Sequence, residues 1–132
     1  MTEGKTAVTN SLINASTRYC VNIGRFVRGK KLLKMIDYLE KVSMKKAVVP
    51  FKTYNDKVSH KKGMGPAKYP VKASLEVIKA LKDVKANAKI KGMDDEKLVI
   101  NTFIPNLLFS KESNSKYGRG KWTKLKVGVV EK

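Results

Sequence analysis

Cysteine is almost missing from this chain of 132 residues, where Cys20 stands alone. A lone thiol excludes an intrachain disulfide and a cysteine-built zinc site, and it suits a reducing compartment. Histidine and tryptophan also occur once each, as His60 and Trp122. His60 has no evident carboxylate or nucleophile partner, so a contact role is expected of it rather than general-base chemistry. Acidic residues are scarce: 11 Asp and Glu face 29 Lys and Arg, a formal charge of +18. Like charges at that density repel in the free protein and attract a polyanion. Nucleic acid is therefore the leading partner class, ahead of a membrane surface and of acidic protein. No window approaches the roughly 20 apolar residues that span a bilayer. The opening MTEGKTAVTNSLIN lacks the apolar run of a signal peptide. A soluble, intracellular protein with no membrane insertion is expected. Internal repeats and low-complexity tracts are absent too.

What is present suits one compact domain, 1–132, with a single core, since 42% of the residues are hydrophobic. Thr6 to Ile13 reads as a short edge strand or extended arm. Asn14 or Ser16 offers a helix N-cap, and Tyr19, Ile23, Phe26 and Val27 follow at helical spacing up to Gly29. A second helix is predicted over Lys31 to Val42, with Leu32, Met35, Ile36, Leu39 and Val42 on its apolar face. The third, from Pro70 to Lys91, carries a stripe of Val71, Leu75, Ile78, Leu81, Val84 and Ala88 and stops at Gly92. Leu98, Ile100, Thr102 and Ile104 alternate with Val99, Asn101 and Phe103 as a strand. TKLKVGVV alternates more cleanly, with Leu125, Val127 and Val129 on one side. Residues 104–122 form a connection much longer than a hairpin turn, expected to be functional and mobile without a partner. The stretch from 54 to 73, YNDKVSHKKGMGPAKYPVKA, is too poor in aliphatics to bury itself. The fold class is α+β: three helices packed on a small antiparallel β-sheet.

Enzymatic signals are weak. Asp94-Asp95-Glu96 follows the helix stop at Gly92 and reads as a capped turn rather than a magnesium site. Gly63-Met64-Gly65 lacks the preceding strand and the spacing of a phosphate loop. Cys20 lies beside apolar positions and reads as a packed thiol. No catalytic residue, metal or cofactor is assigned.

The basic constellations are stronger. Between residues 45 and 72, Lys45, Lys46, Lys52, Lys57, Lys61, Lys62, Lys68 and Lys72 face one acid, Asp56. A solvated charged loop is the plain alternative. Against it, Tyr54, His60 and Tyr69 are interleaved with the lysines and offer flat faces to bases and sugars. Gly63 and Gly65 allow a close approach of backbone to phosphate. A second cluster, KYGRGKWTKLK, holds Lys116, Tyr117, Arg119, Lys121, Trp122, Lys124 and Lys126. Here Trp122 is read either as core or as a nucleic-acid contact. A third set, Arg18, Arg25, Arg28, Lys30 and Lys31, surrounds the end of the first helix, where cations also favour the helix dipole.

Three of these stretches, GRFVRGKKLLKMIDYLEKV, VPFKTYNDKVSHKKGMGPAKYPVKA and KANAKIKGMDDEKLVI, together resemble one family. It is the universal large-subunit ribosomal protein twenty-two family, also known as eukaryotic large-subunit protein seventeen. The likeness is collinear over about residues 5 to 103 and favours the archaeal and eukaryotic branch. It implies a cytoplasmic, structural constituent of the large ribosomal subunit that binds large-subunit rRNA near the polypeptide exit tunnel. Neighbouring ribosomal proteins near the tunnel exit are implied as partners, and contact with the nascent chain is left open. It also implies an extended β-hairpin over residues 104–122, with Lys116, Arg119 and Lys121 on RNA. Here that hairpin departs from the family's longer, strongly basic one: 104–109 is apolar and 110–115 only mildly polar. A free-standing RNA- or DNA-binding chaperone is the alternative.

Overall fold

A computed structural model describes residues 6–52, 58–61, 65–112 and 119–131. The element order is β1 (Thr6–Ile13), α1 (Thr17–Val27), α2 (Leu32–Ser43), β2 (Val49–Pro50), β3 (His60–Lys61), β4 (Gly65–Lys68), α3 (Val71–Ile90), β5 (Leu98–Glu112) and β6 (Arg119–Glu131). A 3₁₀ turn at Asp95–Lys97 precedes β5. There Asp94 accepts a hydrogen bond from the Glu96 N–H at 3.1 Å, the turn cap read from the sequence. The expected α+β architecture is present, with β1–β6–β5 as an antiparallel sheet under the helices and a second small sheet, β2–β4–β3.

The larger sheet follows from alternation. Leu125, Val127 and Val129 of β6 turn inward and are buried, while Lys124 and Lys126 face out. Along β5 the alternation shifts part-way. Leu98 and Ile100 are buried, but the next inward residue is Phe103, and Ile104 is 42% exposed. A bulge between Ile100 and Thr102 leaves Asn101 without an opposite residue, and this switches the parity of the strand. The ring of Phe103 then lies on Gly24 of α1, where an added Cβ would sit 2.4 Å from Phe103 Cδ1. Glycine is required by that close approach.

The helices cover the inner face. Cys20, Ile23, Gly24 and Val27 form the buried face of α1, and Leu32, Met35, Ile36, Leu39 and Val42 that of α2. On α3 the buried arc is wider and more alanine-rich than expected, running through Ala73, Val77, Ile78, Ala80, Leu81, Val84 and Ala88. Leu75 falls beyond this arc and is exposed. The reason is that α3 packs against both α2 and β1, so small residues on its central face allow close approach to two neighbours. Buried Thr123 joins α1 to β6: its hydroxyl donates to the Ala15 carbonyl at 2.8 Å and accepts from Thr17 Oγ1 at 2.8 Å. α3 also guards the free edge of β1, where Lys91 Nζ donates to the Thr6 carbonyl at 2.9 Å and Asn87 to Thr9 Oγ1 at 2.7 Å.

Two further differences concern the middle and the end of the chain. The segment read as unable to bury itself is anchored. Within 54–73, Ala67, Pro70 and Ala73 are buried and Val58 packs on the core, while Val49 and Phe51, just before the segment, are buried as well. Few aliphatics suffice because Val49 and Ala67 sit at strand positions and Ala73 on the first turn of α3, each turned inward. Of residues 104–122, read from composition as a connection, 104–112 and 119–122 carry the β5–β6 ladder onward from Ile104↔Lys126 to Glu112↔Arg119. That ladder is the extended hairpin that the resemblance implies.

Candidate nucleic-acid interface

The end of α1 is built to hold its cations in place. Gly29, at φ +82, turns the chain out of the helix. Its N–H donates to the Ile100 carbonyl at 2.8 Å, and the Ile100 N–H donates back to the Lys30 carbonyl at 3.0 Å. Lys31 bridges to Val99. Residues 29–31 thus act as a short extra strand on the outer edge of β5, beside its bulge. Arg28 adds a side-chain tie, donating from Nη2 to the Phe103 carbonyl at 2.9 Å. A loop with the sequence RGKK, which by composition reads as solvated, is fixed to the sheet.

This clamp aims Arg28 and Lys30 at a concavity of about 530 Å³, lined also by Arg25, Phe26, Pro50 and Lys52. Lys30 Nζ stands 3.6 Å above the centre of the Phe26 ring, a cation–π contact. Phe26 in turn packs on Tyr38, with centroids 4.8 Å apart, and the Tyr38 hydroxyl donates to the Val48 carbonyl. That chain of contacts ties α1 to the segment entering β2. Burial, and then the positive charge of Lys52, push the Lys30 ammonium below its usual proton affinity. Among the described residues no carboxylate pairs with Arg25, Arg28, Lys30 or Lys52, and the ion pairs present are Lys79–Glu76 and Lys82–Glu40 on the helices. The concavity is positive and unneutralised, which suits an anion.

Next to it, Lys68 of β4 crosses an aromatic pair. Tyr19 and Phe51 meet edge to face at 5.3 Å, and Lys68 Nζ lies 5.4 Å from the Tyr19 centroid and 3.4 Å from its hydroxyl. Tyr69 and Lys72 are exposed beyond it, and Gly65 adopts φ +72 with open space where a Cβ would be. Tyr54, Lys57, Lys62, Gly63, Lys116 and Tyr117 lie outside the described residues. For His60, Lys61, Arg119 and Lys121 the strand position is described and the side chain is not. Trp122 is half-buried and opposite Phe109, and exposed Lys124 is opposite Leu12 and Asn106. Both stand on the sheet face turned away from the helices, apart from the concavity. Cys20 is fully buried and its thiol is pushed up to about 12 by desolvation, as a packed residue should be.

The sequence reading singled out Arg25, Arg28, Lys30, Lys31 and Lys52 but treated Lys52 as part of another cluster. The structure brings Lys52 to Arg25, Arg28 and Lys30 and leaves Lys31 outside the lining. It missed Phe26 and Pro50 as walls. No spacing signalled them: Lys30 lies past the turn at Gly29, so its contact with Phe26 is set by that turn and not by helical periodicity.

Comparison with known proteins places this arrangement in a family. The family model described as Ribosomal protein L22p/L17e matches residues 8–114. The chain belongs to that family. Among its relatives, a protein of Picrophilus torridus is 38% identical over 108 residues, covering 81% of this chain and 72% of the relative. One of Thermoplasma volcanium is 40% identical over 106 residues, covering 79% and 72%. One of Methanocella arvoryzae is 44% identical over 91 residues, covering 67% and 60%. Each bears the name Large ribosomal subunit protein uL22. The matched span includes the clamp, the concavity and all of β5.

Proposed function

We propose that this protein is a structural constituent of the large subunit of the cytoplasmic ribosome, that it binds large-subunit rRNA near the polypeptide exit tunnel, and that it has no catalytic activity of its own. The observation that carries the reading is the convergence of Arg25, Arg28, Lys30 and Lys52 on one acid-free concavity, in a chain of net charge +18. The names of its relatives, which are large ribosomal subunit proteins, support the choice of assembly. In this reading the cations neutralise phosphates where RNA strands converge. Lys68, Tyr69 and Lys72 extend the contact along β4 and the start of α3. Trp122 and Lys124, with Lys116, Arg119 and Lys121, serve the hairpin, which runs toward the tunnel wall among neighbouring ribosomal proteins.

With about 6 to 10 phosphates neutralised, affinity for an rRNA fragment falls by about 10³ to 10⁵ between roughly 50 and 200 mM salt. A binding constant indifferent to salt contradicts the reading. Co-sedimentation with large subunits after a high-salt wash is expected. Recovery in the free fraction alone would point instead to a free-standing nucleic-acid binder.

A further inference from the structure

The lining of the concavity is more than a row of cations. Two of its six lining residues, Phe26 and Pro50, are apolar and flat-sided, and they stand beside Arg25, Arg28, Lys30 and Lys52. Its volume of about 530 Å³ lies within the range of about 300 to 1,000 Å³ typical of small-ligand sites. A duplex is convex and offers phosphates to a surface, whereas a hollow of this size takes a group that projects from the nucleic acid. The aromatic wall already attracts a cation, since Lys30 Nζ rests 3.6 Å from the Phe26 centroid. Arg28 spends one nitrogen on the Phe103 carbonyl, which fixes the plane of its guanidinium and leaves further N–H groups for a second acceptor. Lys30 and Lys52 sit close enough to repel each other, a repulsion that a phosphate between them relieves.

We propose that this concavity receives a single unpaired nucleotide of an RNA, with its base taking the place of the Lys30 ammonium over Phe26, beside Pro50, and its phosphate held by Arg28 and Lys52. The inference rests on the RNA-binding reading above and adds the form of the ligand: an extruded nucleotide rather than continuous duplex backbone. Unstacked bases pack on aromatic and apolar walls, and a guanidinium forks onto phosphate in a way that an ammonium does not.

The test uses the full chain and two RNA stem-loops that differ only by one bulged nucleotide. The bulged RNA is expected to bind at least about tenfold more tightly. Exposed-site variants Lys52→Ala and Arg28→Lys should each reduce that ratio to within about threefold of unity, because the phosphate loses one of its two holders. Adenosine monophosphate should shift the amide resonances of Phe26, Gly29 and Phe51 more than inorganic phosphate does. Equal, salt-sensitive binding of both stem-loops would overturn the inference and leave RNA binding intact. A preference for the bulge that survives both variants would overturn it as well. Absence of salt-sensitive binding to either RNA would remove the underlying reading together with it.

Discussion

The two sheets of this protein are held by different means. β1–β6–β5 has strands of 8, 13 and 15 residues, and the inner face of β5 and β6 is built mainly of Leu98, Ile100, Phe103, Leu125, Val127 and Val129. β2–β4–β3 has strands of 2, 4 and 2 residues and is fixed to the core through Val49, Phe51 and Ala67. The first sheet defines the fold. The second spends little of its length on burial, and the neighbouring positions Lys52 and Tyr69 are exposed while Lys68 lies across Tyr19 and Phe51. A few anchor residues place a strongly basic segment without absorbing it into the core. The clamp of residues 29–31 applies the same economy, using backbone hydrogen bonds to β5 in place of apolar side chains.

Phe103→Ala should break the first sheet most severely. It removes a fully buried ring from against Gly24 and should cost about 3 to 5 kcal/mol in urea unfolding. The same substitution should loosen Arg28, whose acceptor is the Phe103 carbonyl, so RNA affinity should fall further than loss of stability explains. A matched pair of glycine substitutions sharpens the contrast between the sheets. Gly24→Ala drives a methyl group into Phe103 and should destabilise by about 1 to 3 kcal/mol in the global transition. Gly65→Ala meets open space and suffers only its φ of +72, so its cost should be about 1 to 2 kcal/mol. Because β4 is short, that cost should appear as faster amide exchange at Ala67 rather than as a lowered global midpoint. Equal lowering of the global midpoint by the two substitutions would contradict the distinction.

Cys20 gives the smallest effect, confined to alkaline pH. Its thiol is raised from 9.0 to about 12 in the folded chain. The native state therefore holds this proton more tightly than the unfolded state. The contribution is fully present below pH 9.0 and is lost as pH rises toward about 12. Cys20→Ala should flatten that alkaline decline, measured as the denaturation midpoint against pH. An unchanged slope would show that the thiol is not the group responsible.

The helices, the edge strand and β6 were legible from the sequence because period and burial coincide there: Leu32, Met35, Ile36, Leu39 and Val42 are all buried. The parity of β5 was not legible. A bulge at Asn101 leaves no compositional mark, and Ile104 is as apolar as Phe103. The stripe of α3 was misplaced at Leu75 because alanines, which carry little hydrophobic signal, make the close contacts. The interface was half legible. Its cations stand out in the sequence, but Lys52 is brought to Arg25, Arg28 and Lys30 by contacts between separate segments, Phe26 on Tyr38 and Tyr38 to the Val48 carbonyl.

The most direct test is a density map of a large ribosomal subunit assembled with this chain. The account predicts RNA inside the concavity, with a phosphate within hydrogen-bonding reach of Arg28 and Lys52. A concavity open to solvent, or filled by a neighbouring protein, would contradict it.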